Sequence, residues 1–600
     1  MPRAKNDARR RGFSALAGAT HDRRAAIGVL SLRLRPEGPP SEGLCVEADL
    51  LQTPMLRITE LRLPLEHPED ALRAAIIQRL GVSSEDLVRF EVYKRAVDAR
   101  KKKSILFVYT VDAELRHEAK VLNRLKTDPH VKTAPDMGYK FVARATPESN
   151  ARTKRPIVIG MGPAGLFAGL ILAQSGFRPL ILERGKIVRE RTKDTFRMWR
   201  QGVLNTESNT QFGEGGAGTF SDGKLYSQVK DPRFLGRKVL REFVDAGAPE
   251  EILYASRPHI GTFRLVSMVE KMRAKIIALG GEIRFETRVD DIELEKVASA
   301  DGKRTARVRG VVLAGGERIA TDHLVLAVGH SARDTFEMLH GHGVYIEPKP
   351  FSIGFRIEHP QSLINQCRYG EKADSPLLGA ADYRLVHHAK NGRSVYSFCM
   401  CPGGTVVAAA SEEGRVVTNG MSQYSREERN ANAGIVVGIT PEADFPGGVL
   451  AGIEFQRFWE SRAYELGGRN YQAPGQLVGD FLKGRASTEF RSVLPSYTPG
   501  VHLTDLATAL PEYAITAIRE AIPAFAREIK GFDLADAVLT GVETRTSSPI
   551  RIKRDDDDLQ SLNTTGLYPT GEGAGYAGGI LSASIDGIEV AEAVARSIAG

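Results

Sequence analysis

The hydrophobic and polar positions of this 600-residue chain change period several times, and each change marks an element. MLRITELRLPL, from residue 55, alternates and predicts a strand, whereas HPEDALRAAIIQRLGV spaces its apolar residues at helical intervals. VRFEVYKRAVD and KSILFVYTVD alternate again on either side of the basic turn ARKKK and predict a hairpin. AELRHEAKVLNRLK returns to the helical period, and YKFVARA predicts a last short strand. TPESNARTKR, from 146 to 155, has neither period and predicts a linker. Beyond it, the runs PIVI and PLILE bracket an apolar helix. FRLVSMVEKMRAKIIALGG predicts a second helix, EIRFETRVDDIEL one strand, and TARVRGVVLAGGERIATDHLVLAVG a hairpin. Residues 335–545 are strand-rich with long loops, and the chain closes on GLYPTGEGAGYAGGILSASIDGIEVAEAVARSIAG.

This order predicts an α/β protein of several units, because the chain is too long for one ordinary core. The order βαββαβ over residues 51–150 predicts a ferredoxin-like α+β domain. Residues 155–334 and 546–600 are expected to form one Rossmann-type domain, split by a strand-rich substrate domain at 335–545. The first fifty residues are expected to be a basic, disordered extension.

Hydrophobic and charged fractions of 42% and 26% are those of a soluble globular protein. No apolar run predicts a membrane span, since even IVIGMGPAGLFAGLILA is interrupted by glycines and a proline. The net charge of +8 sits almost wholly in residues 1–36, where nine Arg and Lys face only Asp7 and Asp22, so the remainder is nearly neutral. That argues against a nucleic-acid surface on the folded body. The Arg- and Ala-rich tail also fits an organellar transit peptide. Four cysteines, Cys45, Cys367, Cys399 and Cys401, are too few for a disulfide framework and suit a reducing compartment, so a cytoplasmic location is expected.

The chemistry begins at PIVIGMGPAGLFAGLILAQSGFRPLILERG. Gly160 permits the tight turn after the strand, Gly162 lets backbone approach a pyrophosphate, and Gly165 lets the following helix, opened by Pro163 and Ala164, pack closely. The helix N-terminus offers unpaired N–H groups and a positive dipole end to phosphates. Glu183, 23 residues after Gly160, stands where a carboxylate accepts both ribose hydroxyls. Arg184 follows it, but the carboxylate would repel a 2′-phosphate, which disfavours NADP. Two distant glycine-rich loops, QFGEGGAGTFSDGKL with Gly215, Gly216, Ala217, Gly218 and Thr219, and PTGEGAGYAGGI with Gly571, Glu572 and Gly573, suit an extended flavin dinucleotide better than NAD.

With these motifs, the ending LAVGH of a later strand and the terminal YPTGEGAGYAGGILSASIDG, the chain resembles flavoproteins of the glutathione-reductase structural class. FGEGGAGTFSDGKLYSQVKD, PHIGT, FSIGFRIEHPQ, SFCMCPGG and GVETRTSSPIRI make it similar to a narrower group, the bacterial FAD-dependent (NAD/FAD-utilising) dehydrogenases usually labelled uncharacterised. The resemblance spans roughly residues 50–600 and implies non-covalent FAD. It implies that Gly160, Gly162 and Gly165 take the pyrophosphate, Glu183 the ribose and the Val289 backbone the adenine, with Gly329 against the cofactor. Glu572 replaces the usual aspartate near the ribityl chain. Gly573, Gly575, Gly578, Gly579 and Ile580 would bring N–H groups and a helix N-terminus to the isoalloxazine.

Residues for the chemistry itself are less marked. Lys224, beside Ser221 in TFSDGKL, is the first candidate for tuning the flavin, and His330 after the strand LVLAVG is the second; His259 in RPHIGT reads as structural. Cys399 and Cys401 could present a thiol pair, but disulfide reductases space their dithiol more widely and nearer the first helix, so both read as buried strand cysteines. RDDDDLQ reads as a solvated turn, and no metal site is expected. With no second glycine fingerprint between 335 and 545, NAD(P)H is an optional transient donor that the sequence does not require, and the electron donor stays open. The expectation is an FAD-dependent oxidoreductase acting on an unidentified small organic substrate. The rivals are a flavin-binding RNA-associated or scaffold protein and a flavoenzyme without net redox change.

Overall fold

The computed structural model describes residues 55–297 and 304–600; the basic extension and Cys45 lie outside the described residues. The first sheet runs in the order Leu87–Asp98, Leu106–Leu115, Leu56–Pro64, Val131–Thr133, with every neighbouring pair antiparallel. The helix Ala71–Leu80 buries Leu72, Ile76 and Leu80 and stops at Gly81, whose left-handed φ of 59° closes the last turn. The fourth strand is therefore Val131–Thr133 and not YKFVARA. That stretch pairs with no strand because Tyr139, Ala143 and Ala145 pack on the apolar core beneath the Gly-rich helix, and the Ala145 N–H donates to the Ser175 carbonyl at 2.8 Å. The expected linker also differs. Pro147–Arg152 is a short helix, whose Thr146 and Ser149 form a capping box, so the polar residues that suggested a linker are capping groups.

Five strands form a parallel sheet in the order Leu567–Pro569, Leu324–Leu326, Ile157–Ile159, Leu180–Leu182, Glu282–Arg284. Helix Pro163–Gln174 packs against the terminal helix Ile580–Ala599, so the two ends of the Rossmann-like half meet although some 400 residues separate them. EIRFETRVDDIEL is not one strand. Glu282–Arg284 edges the parallel sheet, and Val289–Lys296 leaves it to pair antiparallel with Ala306–Leu313. The turn between them is anchored on the Glu183 segment, where the Thr287 N–H donates to the Glu183 carbonyl at 3.0 Å, and this sets Val289 beside the site.

The strand-rich region carries a seven-stranded sheet in the order Val386–His388, Ser394–Cys401, Asn430–Ile439, Phe351–Pro360, Val538–Glu543, Ala473–Leu477, Val501–Leu503. Its central strand, FSIGFRIEHP, is buried on both faces, which explains its near-continuous apolar run and makes Arg356 within it an anomaly needing a partner. Among the described residues, no helix is long and apolar enough to cross a membrane.

Candidate functional site

The three glycine-rich segments and the seven-stranded sheet meet around one cavity of about 380 Å³. Its floor is the turn after strand Ile157–Ile159. Gly160 holds φ 93°, and a Cβ there would stand 2.5 Å from the Ala327 carbonyl oxygen, so only glycine fits. Helix Pro163–Gln174 begins at Gly162 without a side-chain cap, leaving its first N–H groups for a ligand. Gly165 serves the packing expected of it, since a Cβ would fall 1.9 Å from the Gly160 carbonyl oxygen.

Glu183 is buried at the end of the next strand, and its carboxylate accepts N–H bonds from Met161 at 2.8 Å and from Gly185 and Gly213 at 2.9 Å. It therefore ties the first glycine turn to the second loop, with lone-pair capacity left toward the cavity that it lines. Arg184 donates to Glu207 at 2.9 and 3.1 Å and to Asp334 at 3.0 Å, so two carboxylates already hold it. The second loop is fastened by Arg191, a residue the sequence did not single out. Fully buried, it donates to the carbonyls of Asn209, Thr210, Gly213 and Glu214 at 2.7 to 3.2 Å. Burial lowers its pKa to about 10, with Glu183 and Glu214 opposing. The loop then lies against the first turn: a Cβ on Gly216 would sit 2.8 Å from the Gly162 Cα. The third segment hangs from Asp586, which accepts from the Thr570 hydroxyl at 2.7 Å and the Gly571 N–H at 2.6 Å and is paired with Arg554.

Of the residues expected at the cofactor, Gly160, Gly162, Pro163, Ala164, Glu183 and Arg184 line the cavity, as do Gly216, Ala217, Gly218, Val289 and Gly329. Gly571, Glu572, Gly578, Gly579 and Ile580 line it from the C-terminal segment. Gly165, Gly215, Thr219 and Gly573 stand one layer behind it, where they close contacts between loops; a Cβ on Gly573 would fall 2.3 Å from the Gly329 carbonyl oxygen. Lys224 and His330 both line the cavity. The Lys224 ammonium lies 3.4 Å from Asp222 and donates to the Met400 carbonyl. His330 Nδ1 is 3.2 Å from the Glu572 carboxylate, whereas its Nε2 is buried without a hydrogen-bond partner. His259, by contrast, is spent on the Tyr424 carbonyl at 3.0 Å and stacks on the Tyr424 ring.

The strand-rich region adds charged groups that the sequence reading passed over. Arg356, fully buried, donates to Glu543 at 2.9 Å, Asn432 at 3.2 Å and the Cys399 carbonyl at 2.8 Å. Arg545 lines the cavity and shares Glu460 with Arg333, all three of them buried. A charge inside an apolar strand, as in FSIGFRIEHP, and the acid–base pattern of GVETRTSSPIRI were the available signals. Cys399 is a correction: it is only half-buried and lines the cavity, whereas Cys401 is buried as expected. Among the described residues, no three or more His, Cys, Asp or Glu are grouped to hold a metal ion.

Burial pushes the Glu543 carboxyl up to about 7, against the pull of Arg356 beside it. Between the ordinary 4.5 and about 7 the folded chain keeps a proton that the unfolded chain has released, so stability falls as pH rises through that window. Glu543→Gln should flatten that slope. Thermal unfolding of both proteins across the window is the check, and parallel curves would refute the assignment.

A family model described as "FAD-dependent protein, C-terminal domain-like" matches residues 350–546, the stretch that carries all seven strands of the large sheet. A second, a domain of unknown function (DUF8436), matches residues 55–114. An uncharacterised protein of Clostridium beijerinckii is 48% identical over 539 residues, covering 90% of this chain and 98% of that one. The chain belongs to this bacterial family of FAD-dependent proteins. Among solved structures, CtdE in complex with FAD is 12% identical over 73% of this chain and 83% of its own, with a TM-score of 0.28. Glycine oxidase from Geobacillus kaustophilus is 13% identical over 74% and 94%, with a TM-score of 0.31.

FAD is the cofactor, and the residues of this family member fit it. Gly578 and Gly579 line the cavity, yet a Cβ on either would meet no protein atom within 4 Å, and Gly579 is extended at φ 164°. Both therefore leave open space on the cavity wall, where their backbone is accessible to the cofactor. The orphaned His330 Nε2 points to the same conclusion.

Proposed function

We propose that this protein is an FAD-dependent oxidoreductase that passes a hydride or electron pair between flavin N5 and a small organic substrate. When bound, FAD supplies the two-electron centre, and the chain has to bind, orient and manage protons. One observation carries the reading: a single cavity collects the dinucleotide turn, Glu183 and the Gly571–Ile580 loop together with titratable groups, Lys224 from the second glycine-rich loop and Cys399 and Glu543 from the strand-rich region. A scaffold protein has no need of such groups beside its cofactor.

In this reading Glu183 and the N-terminus of helix Pro163–Gln174 hold the ribose and pyrophosphate. The terminal helix, starting after the uncapped Gly579, would offer its positive end to negative charge on the reduced flavin. Burial opposes the charge, but the neighbouring Cys401 and Cys399 thiols and then Asp222 outweigh it and keep the Lys224 ammonium protonated, so it adds to that field instead of acting as a base. Glu543, titrating near neutrality, is the group placed to take or return a proton. His330, oriented by Glu572, offers its free Nε2 to the cofactor or substrate.

The domain division belongs to the same proposal: a ferredoxin-like domain at 51–150, an FAD-binding domain of glutathione-reductase type at 155–334 and 546–600, and a substrate domain at 335–545. The order of the first sheet supports its first part. A cytoplasmic dehydrogenase with a small-molecule substrate, no nucleic-acid partner and NAD(P)H as no more than a transient donor completes it. Anaerobic titration of the loaded protein with NADH, NADPH and dithionite tests the reading. Reversible bleaching of the flavin by dithionite and reoxidation by an organic acceptor are expected. A flavin that resists dithionite reduction would overturn it.

A further inference from the structure

The strand Ser394–Cys401 is irregular where it reaches the cavity. Phe398 pairs with Gly434 and Cys401 with Asn432, so two residues, Cys399 and Met400, face the single Ala433, and Cys399 takes a left-handed φ of 41°. On a regular strand, residues two apart hold their Cα atoms about 6.6 Å apart with parallel side chains, too far for their sulfurs to bond. The bulge instead folds the Cys401 thiol back onto Cys399, to whose carbonyl it donates at 3.3 Å. A non-glycine residue at such a φ costs on the order of 1 kcal/mol or more and persists only where its surroundings impose it.

Here the surroundings are two cations, the buried Arg356 and the partly buried Lys224. Arg356 donates to the Cys399 carbonyl at 2.8 Å, and Lys224 donates to the Met400 carbonyl, so both carbonyls of the bulge are clamped. The Cys401 thiol beside it and the charges of Lys224 and Arg356 hold the Cys399 thiol well below its ordinary range, against burial. The neighbouring Cys399 and burial drive the Cys401 thiol the other way. Of the two, the cavity-facing Cys399 is therefore the one that carries the thiolate. A packing role for two cysteines requires neither the strained bulge nor two clamping cations.

We propose that Cys399 and Cys401 are a redox-active dithiol that exchanges an electron pair with the flavin. The Cys399 thiolate and the Cys401 thiol join in a sulfur–sulfur bond. Two electrons and the Cys401 proton pass to oxidised FAD, which ends as the singly protonated, reduced anion; the reverse reaction returns thiolate and thiol. Lys224 and Arg356 stabilise the thiolate side of this couple. The substrate class that follows is one able to use such a couple, a dithiol or disulfide reaching the cavity by thiol–disulfide exchange at Cys399. The proposal rests on the flavoenzyme reading above.

Its test uses the full-length, FAD-loaded protein and counts thiols and electrons rather than turnover. After oxidation with diamide, denaturing alkylation and peptide mass mapping should find the peptide carrying Cys399 and Cys401 unalkylated and lighter by two hydrogens. After anaerobic dithionite it should carry two adducts, while Cys367 is alkylated in both samples. In reductive titration the wild type should take up about twice the electrons per FAD of the Cys399→Ser, Cys401→Ser double variant, each couple being a two-electron one. Two alkylatable cysteines after oxidation, with equal electron uptake by the two proteins, would overturn the dithiol and leave the flavoenzyme reading standing. A chain that takes up no FAD would overturn both. The mapping is done on the wild type, so it holds even if the variant folds poorly.

Discussion

Replacing Glu460 by leucine should destabilise the protein by about 3–5 kcal/mol, the cost of leaving buried charges without their counter-ion. Glu460, on the helix Ala451–Leu466, is fully buried and accepts from Arg333 at 2.7 and 3.1 Å, from Arg545 at 2.8 and 3.0 Å and from the Thr544 hydroxyl at 2.9 Å. Burial alone would raise its pKa, but the two guanidinium groups outweigh it and hold the carboxyl well below the ordinary carboxylate range. The pairing is therefore fully present above that range and is lost only as pH falls far below it. With Glu460 gone, Arg333 keeps Glu412 and Gln456, whereas Arg545 keeps only the hydroxyls of Ser331 and Ser411. Because Arg545 lines the cavity, FAD retention should weaken along with stability. Urea unfolding of the FAD-free and FAD-loaded variant measures both. A loss under about 0.5 kcal/mol, the scatter of ordinary surface changes, would contradict the account.

Gly579→Thr should separate fold from cofactor. Threonine is itself a good N-cap, the backbone at Gly579 is extended, and a Cβ there meets no protein atom within 4 Å, so the FAD-free protein should unfold as the wild type does. Because Gly579 lines the cavity, the added side chain should weaken FAD binding by about 3 kcal/mol, roughly a hundredfold. Calorimetric titration of FAD into the two FAD-free proteins is the check; unchanged affinity would mean that the cofactor does not pass Gly579.

These two residues also mark how far the sequence could be read. Gly160, Gly165 and Glu183 were legible because each obeys a local rule of turn, close approach or strand end, and the spacing of the rule is in the sequence. Gly579 was legible because a glycine-rich loop before an apolar helix has few other uses. Glu460 was not, because its partners Arg333 and Arg545 are 127 and 85 residues away and no local pattern unites them. Arg191 was missed for a related reason: it bonds backbone carbonyls, which carry no sequence signature. YKFVARA shows the converse failure, since alternation fits both a paired strand and an extended segment packed on a neighbouring core. The cysteines were discounted because disulfide reductases space their dithiol more widely and nearer the first helix, and the bulge at Cys399 could not be foreseen because it depends on Arg356 and Lys224, which lie elsewhere in the chain.

The central claim is that the cavity between the glycine loops and the seven-stranded sheet holds FAD. The purified protein's visible spectrum, followed by acid release and chromatography of whatever it carries, tests this most directly. The account predicts a yellow protein, or one turned yellow by added FAD, that releases FAD and no other flavin. A colourless protein that takes up no FAD would contradict it.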